Sequence, residues 1–217
     1  NSGGALVDLD GRLVGINTAI VSRSGGSVGI GFAIPANMAR LVAETGISGG
    51  ALNRPWFGAR LQTVNSDLAD SLGLGRPRGA LISEEAPGGP AQKDGFEDGD
   101  VILAVDGFSI EQPSAFDFRL ATKKVGDEAD ITYFRGGQEQ HKTITLEAPP
   151  KSGGQVTVDG NTRFAGTTVE TVTPAVAQDL GLPYSFKGVV VRALKSGSPA
   201  DEMGLKPGDL ILSLNGQ

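Results

Sequence analysis

Short apolar stretches cut at close intervals by Gly, Asp-Gly and Pro run through the whole chain, the spelling of small strands joined by tight turns. Ala5 to Leu9 alternates weakly before the turn pair Asp10-Gly11, and Leu13 to Val21 reads as a second, mostly buried strand. A loop over Ser22 to Gly26 leads to a third strand, Val28 to Ile34. Pro35 opens a short helix with Met38, Leu41 and Val42 on one face, and Gly46 is its expected stop. Three strands and one helix leave an apolar face wet, so residues 1–47 are not expected to enclose a core alone.

After the linker-like run Ser48 to Pro55 the pattern changes. Leu61 to Val64 is a strand, and Asn65 caps a helix carrying Leu68, Ala69 and Leu72 that Gly73 ends. Gly79 to Glu84 is a strand, Pro87 to Pro90 a turn, and Ala91 to Asp94 a single helical turn closed by Gly95. Val101 to Val105 is apolar on both faces and therefore central in its sheet. Ser114, with Asp117 three residues on, spells a capping box for a helix that stacks Phe116 on Leu120 and stops at Gly126. A hairpin about Gly136-Gly137 closes the unit near Leu146. Within it, His141 shares parity with Thr143 and Thr145 and opposes Ile144 and Leu146, which puts it on the wet face.

This unit is written twice. Gly58, Thr63-Val64, Ala69 and Leu72-Gly73-Leu74 return at a fixed offset as Gly166, Thr171-Val172, Ala177 and Leu180-Gly181-Leu182. After a one-residue insertion, Gly79, Pro90-Ala91, Gly95, Gly99-Asp100, Ile102-Leu103 and Gly107 return as Gly188, Pro199-Ala200, Gly204, Gly208-Asp209, Ile211-Leu212 and Gly216. Tandem copies mean one fold used twice. Thr173-Pro174, a cap and then a proline, marks a helix start in the second copy. Between the copies, Pro149 to Thr162 reads as a linker in which Val156-Thr157-Val158 has the makings of a short strand.

Composition narrows the chemistry. A net charge of −6 and no basic stripe disfavour nucleic acid or an anionic membrane as partner. With no cysteine there is neither a disulfide framework nor a thiolate metal site, and no cofactor or metal is expected. No apolar run approaches a membrane span and no signal peptide opens the chain, which starts at Asn1 in the manner of a fragment or processed product.

Asn1-Ser2-Gly3-Gly4-Ala5-Leu6, Gly15-Ile16-Asn17-Thr18-Ala19 and Gly29-Ile30-Gly31-Phe32-Ala33-Ile34-Pro35 resemble, in order and spacing, the last strands of the protease domain in HtrA-type, DegP-like serine proteases. The resemblance implies that Ser2 is the catalytic nucleophile and that its N–H forms half of an oxyanion hole. It also implies that Ile30 lies on the wall of the substrate pocket. The family supplies its His base and orienting Asp upstream of the serine. The one histidine here, His141, lies downstream, so this chain alone is expected to have no peptidase activity.

The runs Pro90 to Gly107 and Pro199 to Gly216 resemble bacterial PDZ domains, which add an extended peptide to a sheet edge and hold its terminal carboxylate with backbone N–H groups. By that resemblance Trp56, Phe57, Gly58 and Ala59 form the carboxylate loop, Ala59 to Val64 the edge strand, and Phe116 and Leu120 the facing helix. Arg54, beside the loop, reads as a solvated side chain, with help to the carboxylate as the alternative. The second copy has Phe164-Ala165-Gly166-Thr167 instead, keeping the glycine but losing bulk, and the chain ends at Gln217 before the groove helix. Its exposed edge is then an association hazard.

The expected fold is mainly β with short helices: a remnant of a chymotrypsin-like double β-barrel, then tandem PDZ-like, partly open barrels. The expected boundaries are 1–47 for the protease portion, 48–55 linker, 56–148 first PDZ domain, 149–162 linker and 163–217 truncated second PDZ domain. Resemblance implies a periplasmic serine endopeptidase acting on unfolded or damaged proteins, trimer-based, with PDZ domains that bind hydrophobic C-terminal peptides. The alternative is a tandem PDZ adaptor without protease activity.

Overall fold

The computed structural model describes residues 2–20, 30–47, 49, 54–151 and 153–213. They form three open sheets with short helices, and no sheet closes into a barrel. The first sheet is antiparallel, β1 (Ala5–Val7), β2 (Leu13–Ile20) and β3 (Gly31–Pro35) in that order, with α1 (Ala36–Ile47) following. Far from being mostly buried, β2 leaves Leu13 and Val14 about half exposed, and α1, which packs beside β2 and β3, does not cover them. Likewise α1 buries no residue. It runs through Gly46 rather than stopping there. The left-handed turn comes later, at Gly49 (φ 67°), whose N–H bonds the Gly46 carbonyl. The expected loop at Ser22 to Gly26, and the start of the expected third strand, lie outside the described residues.

The second sheet holds the main core. Its elements are β4 (Ala59–Thr63), α2 (Ser66–Leu72), β5 (Ala80–Glu85), α3 (Pro90–Lys93), β6 (Val101–Val105), β7 (Phe108–Ser109), α4 (Pro113–Ala121), β8 (Glu128–Arg135) and β9 (Gln138–Thr145). The strand order is β4-β5-β6-β8-β9, with β7 on β6, so the doubly apolar Val101–Val105 run is central as its pattern requires. Asn65 caps α2 by accepting the Leu68 N–H. The capping box at Ser114 does not form. Pro113 takes the first helical position, where its fixed φ and missing N–H fit, and Gln112 becomes the cap, so Ser114 lies inside α4. The helix ends at Thr122, before Gly126. Phe96, Ile102, Ile110, Phe116, Ile131 and Ile144 fill the space between α4 and the sheet. His141 is on the wet face, opposite Thr132 on β8.

The Gly-Asp of the repeated run folds its own loop. Asp100, 1% exposed, accepts the Glu97 N–H and holds Arg135 through two bonds of 2.6 and 2.5 Å. In the second copy Asp209 accepts the Lys206 N–H in the same way.

The third sheet is β10 (Gln155–Val158), β11 (Thr167–Thr171), β12 (Val189–Leu194) and β13 (Leu210–Ile211), all antiparallel and in that order, with α5 (Pro174–Asp179) and α6 (Pro199–Glu202) beside it. Its core of Val172, Val176, Ala177, Tyr184 and Val190 continues into the second sheet's unit through Ala86 and Trp56. Polar contacts close the joint. Glu84 accepts the Tyr184 N–H (2.8 Å) and pairs with Arg60 (3.3 Å), which also donates to the Leu182 carbonyl and lies over the Tyr184 ring.

Two stability outcomes follow from these contacts. Arg135→Ala leaves the Asp100 carboxylate buried without its cation, and the urea midpoint of this unit is expected to fall by the equivalent of about 3 kcal/mol with unchanged m. Burial pushes the Tyr184 phenol up to about 12 from its ordinary 10. The unfolded chain therefore loses that proton first, so the stabilisation is complete below about pH 10 and declines as pH rises towards 12. Urea melts across this range should show the decline, and Tyr184→Phe should reduce it.

Candidate peptide-binding site

The loop Trp56-Phe57-Gly58 is tied down at three points. The Trp56 N–H donates to the Glu147 carbonyl (2.9 Å), which anchors the loop to the chain leaving β9. The Phe57 carbonyl accepts from Ala91 (2.9 Å) and the Gly58 carbonyl from Ala86 (2.8 Å). Both carbonyls are thereby occupied on the side of α3 and the β5–α3 turn, and among the described residues the N–H groups of Phe57 and Gly58 have no hydrogen-bond partner. Unpaired amides beside an apolar site suit an anion. Gly58 has φ 74°, and a Cβ there would stand 2.8 Å from Pro90 Cδ, so only glycine fits without strain.

Adjacent to the loop, β4 is the outermost strand of its sheet, and no described strand pairs with its outer edge. Helix α4 packs against β4, β5 and β6. Between loop, strand and helix lies a cavity of about 430 Å³ lined by Phe57, Ala59, Leu61, Phe116 and Leu120 together with Arg54 and Asp117. Phe57 is the hinge of this wall, edge-on to both Phe96 (5.2 Å) and Phe116 (5.0 Å). Phe57, Phe116 and Leu120 are thus at once core and lining, each no more than 5% exposed. Burial pushes the Asp117 carboxyl above its ordinary range.

The second copy repeats the loop and alters its use. The Ala165 carbonyl accepts from Ala200 (3.4 Å) and the Gly166 carbonyl from Lys195 (2.8 Å), as at Phe57 and Gly58. Here, however, the Gly166 N–H donates to the Val158 carbonyl (2.9 Å), and β10 pairs along β11 from Gln155↔Glu170 to Val158↔Thr167. The edge equivalent to the open edge of β4 is taken by the chain's own strand, so β11 is not the exposed edge expected from the sequence.

Ser2 is exposed near the first sheet, with its Oγ donating to the Thr18 carbonyl (2.6 Å). Ile30 is 54% exposed. His141 belongs to the second sheet, where its Nδ1 lies 3.1 Å from Thr132 Oγ1, so the structure does not join it to Ser2. Among the described residues no group of three or more His, Asp or Glu side chains could hold a metal ion. No described helix is long and apolar enough to cross a membrane.

Comparison with known proteins bears on both parts. PDZ domain family models match residues 55–146 and 190–217. A probable periplasmic serine endoprotease, DegP-like, from Chlamydia trachomatis is 37% identical over all of this chain and 43% of its own length. Its namesakes in Ectopseudomonas mendocina and Brucella suis are each 39% identical over all of this chain and 46% and 42% of theirs. This chain is a homologue of DegP-like serine endoproteases. It spans under half the length of these DegP-like relatives. A solved HtrA-type protease with a decapeptide is 40% identical, covering 69% of this chain and 46% of its own, with a TM-score of 0.48.

In the sequence, the loop glycine and the i, i+4 pair on α4 mark residues that the structure places at this cavity, and the edge strand Ala59 to Val64 comes from the resemblance. Arg54 and Leu61, of the expected edge strand, line it as well, and so does Asp117, which the sequence marks only as part of a capping box. Residues on α5 that reach the same cavity carry no local signal, since they meet it only by docking of one unit on another. For Ser2, the hydroxyl is committed to a carbonyl, and no described residue hydrogen-bonds it as a base. A fluorophosphonate probe is expected to leave Ser2 of this chain unlabelled, as read by intact-mass spectrometry.

Proposed function

We propose that residues 56–148 of this chain bind hydrophobic C-terminal peptides, with the carboxylate on the Phe57 and Gly58 amides and the peptide added as a strand beside β4. The observation that carries this reading is the pair of unpaired N–H groups next to an open strand edge over an apolar cavity. In this reading Trp56 and Ala59 complete the loop, and Phe116 and Leu120 hold the last side chain. The second unit, 163–217, does not take peptides this way, because β10 lies on its edge.

The protease part, residues 1–47, belongs in this proposal to a serine endopeptidase acting on unfolded or damaged proteins. Ser2 is its nucleophile and Ile30 part of its substrate pocket. The support is homology to relatives named as endoproteases. Their printed names also support a periplasmic or envelope setting, and the resemblance supports trimer-based assembly. A second reading, a peptide-binding adaptor without protease activity, is favoured by the bond that holds the Ser2 hydroxyl on Thr18.

Peptide capture is tested by titrating the chain with a short peptide ending in a free hydrophobic residue and with its C-terminal amide. The amide is expected to bind about tenfold more weakly or worse, the worth of a charged hydrogen bond. Gly58→Val should abolish the difference, and equal affinities for the two peptides on the unaltered chain would dispose of the reading.

A further inference from the structure

The cavity that faces the carboxylate loop is not closed by the first unit alone. Ala175, Gln178 and Asp179, all on α5 of the second unit, are part of its lining. Gln178 fixes that helix in place. Its Oε1 accepts both the Trp56 indole N–H (2.7 Å) and the Tyr184 hydroxyl (2.8 Å), so one carbonyl oxygen joins the loop of one unit to the core of the other. Behind it stand the Glu84–Tyr184 and Arg60–Glu84 contacts and the fully buried Ala86. None of these contacts uses Ala175 or Asp179, which leaves both free to meet what enters the cavity.

The charges of the lining are Arg54, Asp117 and Asp179. Among the described residues neither Asp117 nor Asp179 has an ion-pair or hydrogen-bond partner, one carboxylate coming from each unit. A terminal carboxylate is already provided for by the Phe57 and Gly58 amides, with Arg54 nearby. Asp117 and Asp179 are both exposed at this cavity, where they outnumber Arg54 and favour a ligand side chain that carries a cation.

We propose that α5 of the second unit is a wall of the first unit's peptide site. Asp179, with Asp117, makes that site select hydrophobic C-terminal peptides with a Lys or Arg side chain near the terminus over those with an acidic one. The second unit thus contributes specificity to its neighbour's groove. This inference rests on the peptide-binding reading above and adds the partner unit and the charge preference to it.

The test uses the full chain and two fluorescent peptides with the same free hydrophobic terminus, one with Lys and one with Glu at the preceding position, read by anisotropy at low salt. Wild type is expected to prefer the Lys peptide by about tenfold, the scale of one charge-assisted contact. Asp179→Lys, which places a cation at the C-terminal end of α5 where the helix dipole favours it, is expected to cancel or reverse the preference. Asp179→Asn keeps the shape and should reduce the preference without abolishing binding, a change that a merely structural role would not produce. If wild type binds both peptides and the Asp179 variants keep its preference, this inference falls while peptide binding stands. If wild type binds neither peptide, both fall together.

Discussion

Two backbone hydrogen bonds, from Ala91 to the Phe57 carbonyl and from Ala86 to the Gly58 carbonyl, decide which way consecutive peptide groups face. In a trans peptide the next N–H points opposite to the carbonyl, so these bonds turn the Gly58 and Ala59 N–H groups outward, the arrangement on which the proposed carboxylate site depends. The repeated Pro-Ala pair places the donor, since Ala91 follows the proline that opens α3. The glycine allows the turn, because a side chain there would strike Pro90. Everything else at the groove, the open edge of β4 and the apolar face of α4, is useful only once those amides are turned outward.

The two copies show how little needs to change for one scaffold to serve two ends. Both loops keep the carbonyl bonds, and both Gly-Asp turns close on their own backbone. In the first copy the loop amides and the strand edge are open. In the second they are met by β10, while the helix after its edge strand turns outward to the neighbouring unit. One copy supplies a groove and the other supplies a wall.

Much of this was legible in the residues. Turn glycines, the cap at Asn65, the central Val101–Val105 strand and the exposed side of His141 all follow from local spacing and parity, which depend on neighbours in the chain. The misread helix ends at Ser114, Gly126 and Gly46 share a cause. Each is a residue able to start or stop a helix, overruled by a stronger choice nearby, such as Pro113 at the first turn. The joint was illegible for a different reason. Trp56, Arg60, Glu84, Gln178 and Tyr184 form bonds that span a hundred or more positions of sequence, and no periodicity encodes such encounters.

The strand β10 has a competitive meaning. It reaches the edge of β11 through a short stretch of the same chain, which gives it an effective concentration in the range of ~1 mM or above. A free peptide at ~1 µM would meet that edge about a thousandfold less often, so it would need about 4 kcal/mol of better contact merely to draw level. A linker of this kind acts as a permanent tenant. It closes that strand edge through proximity alone.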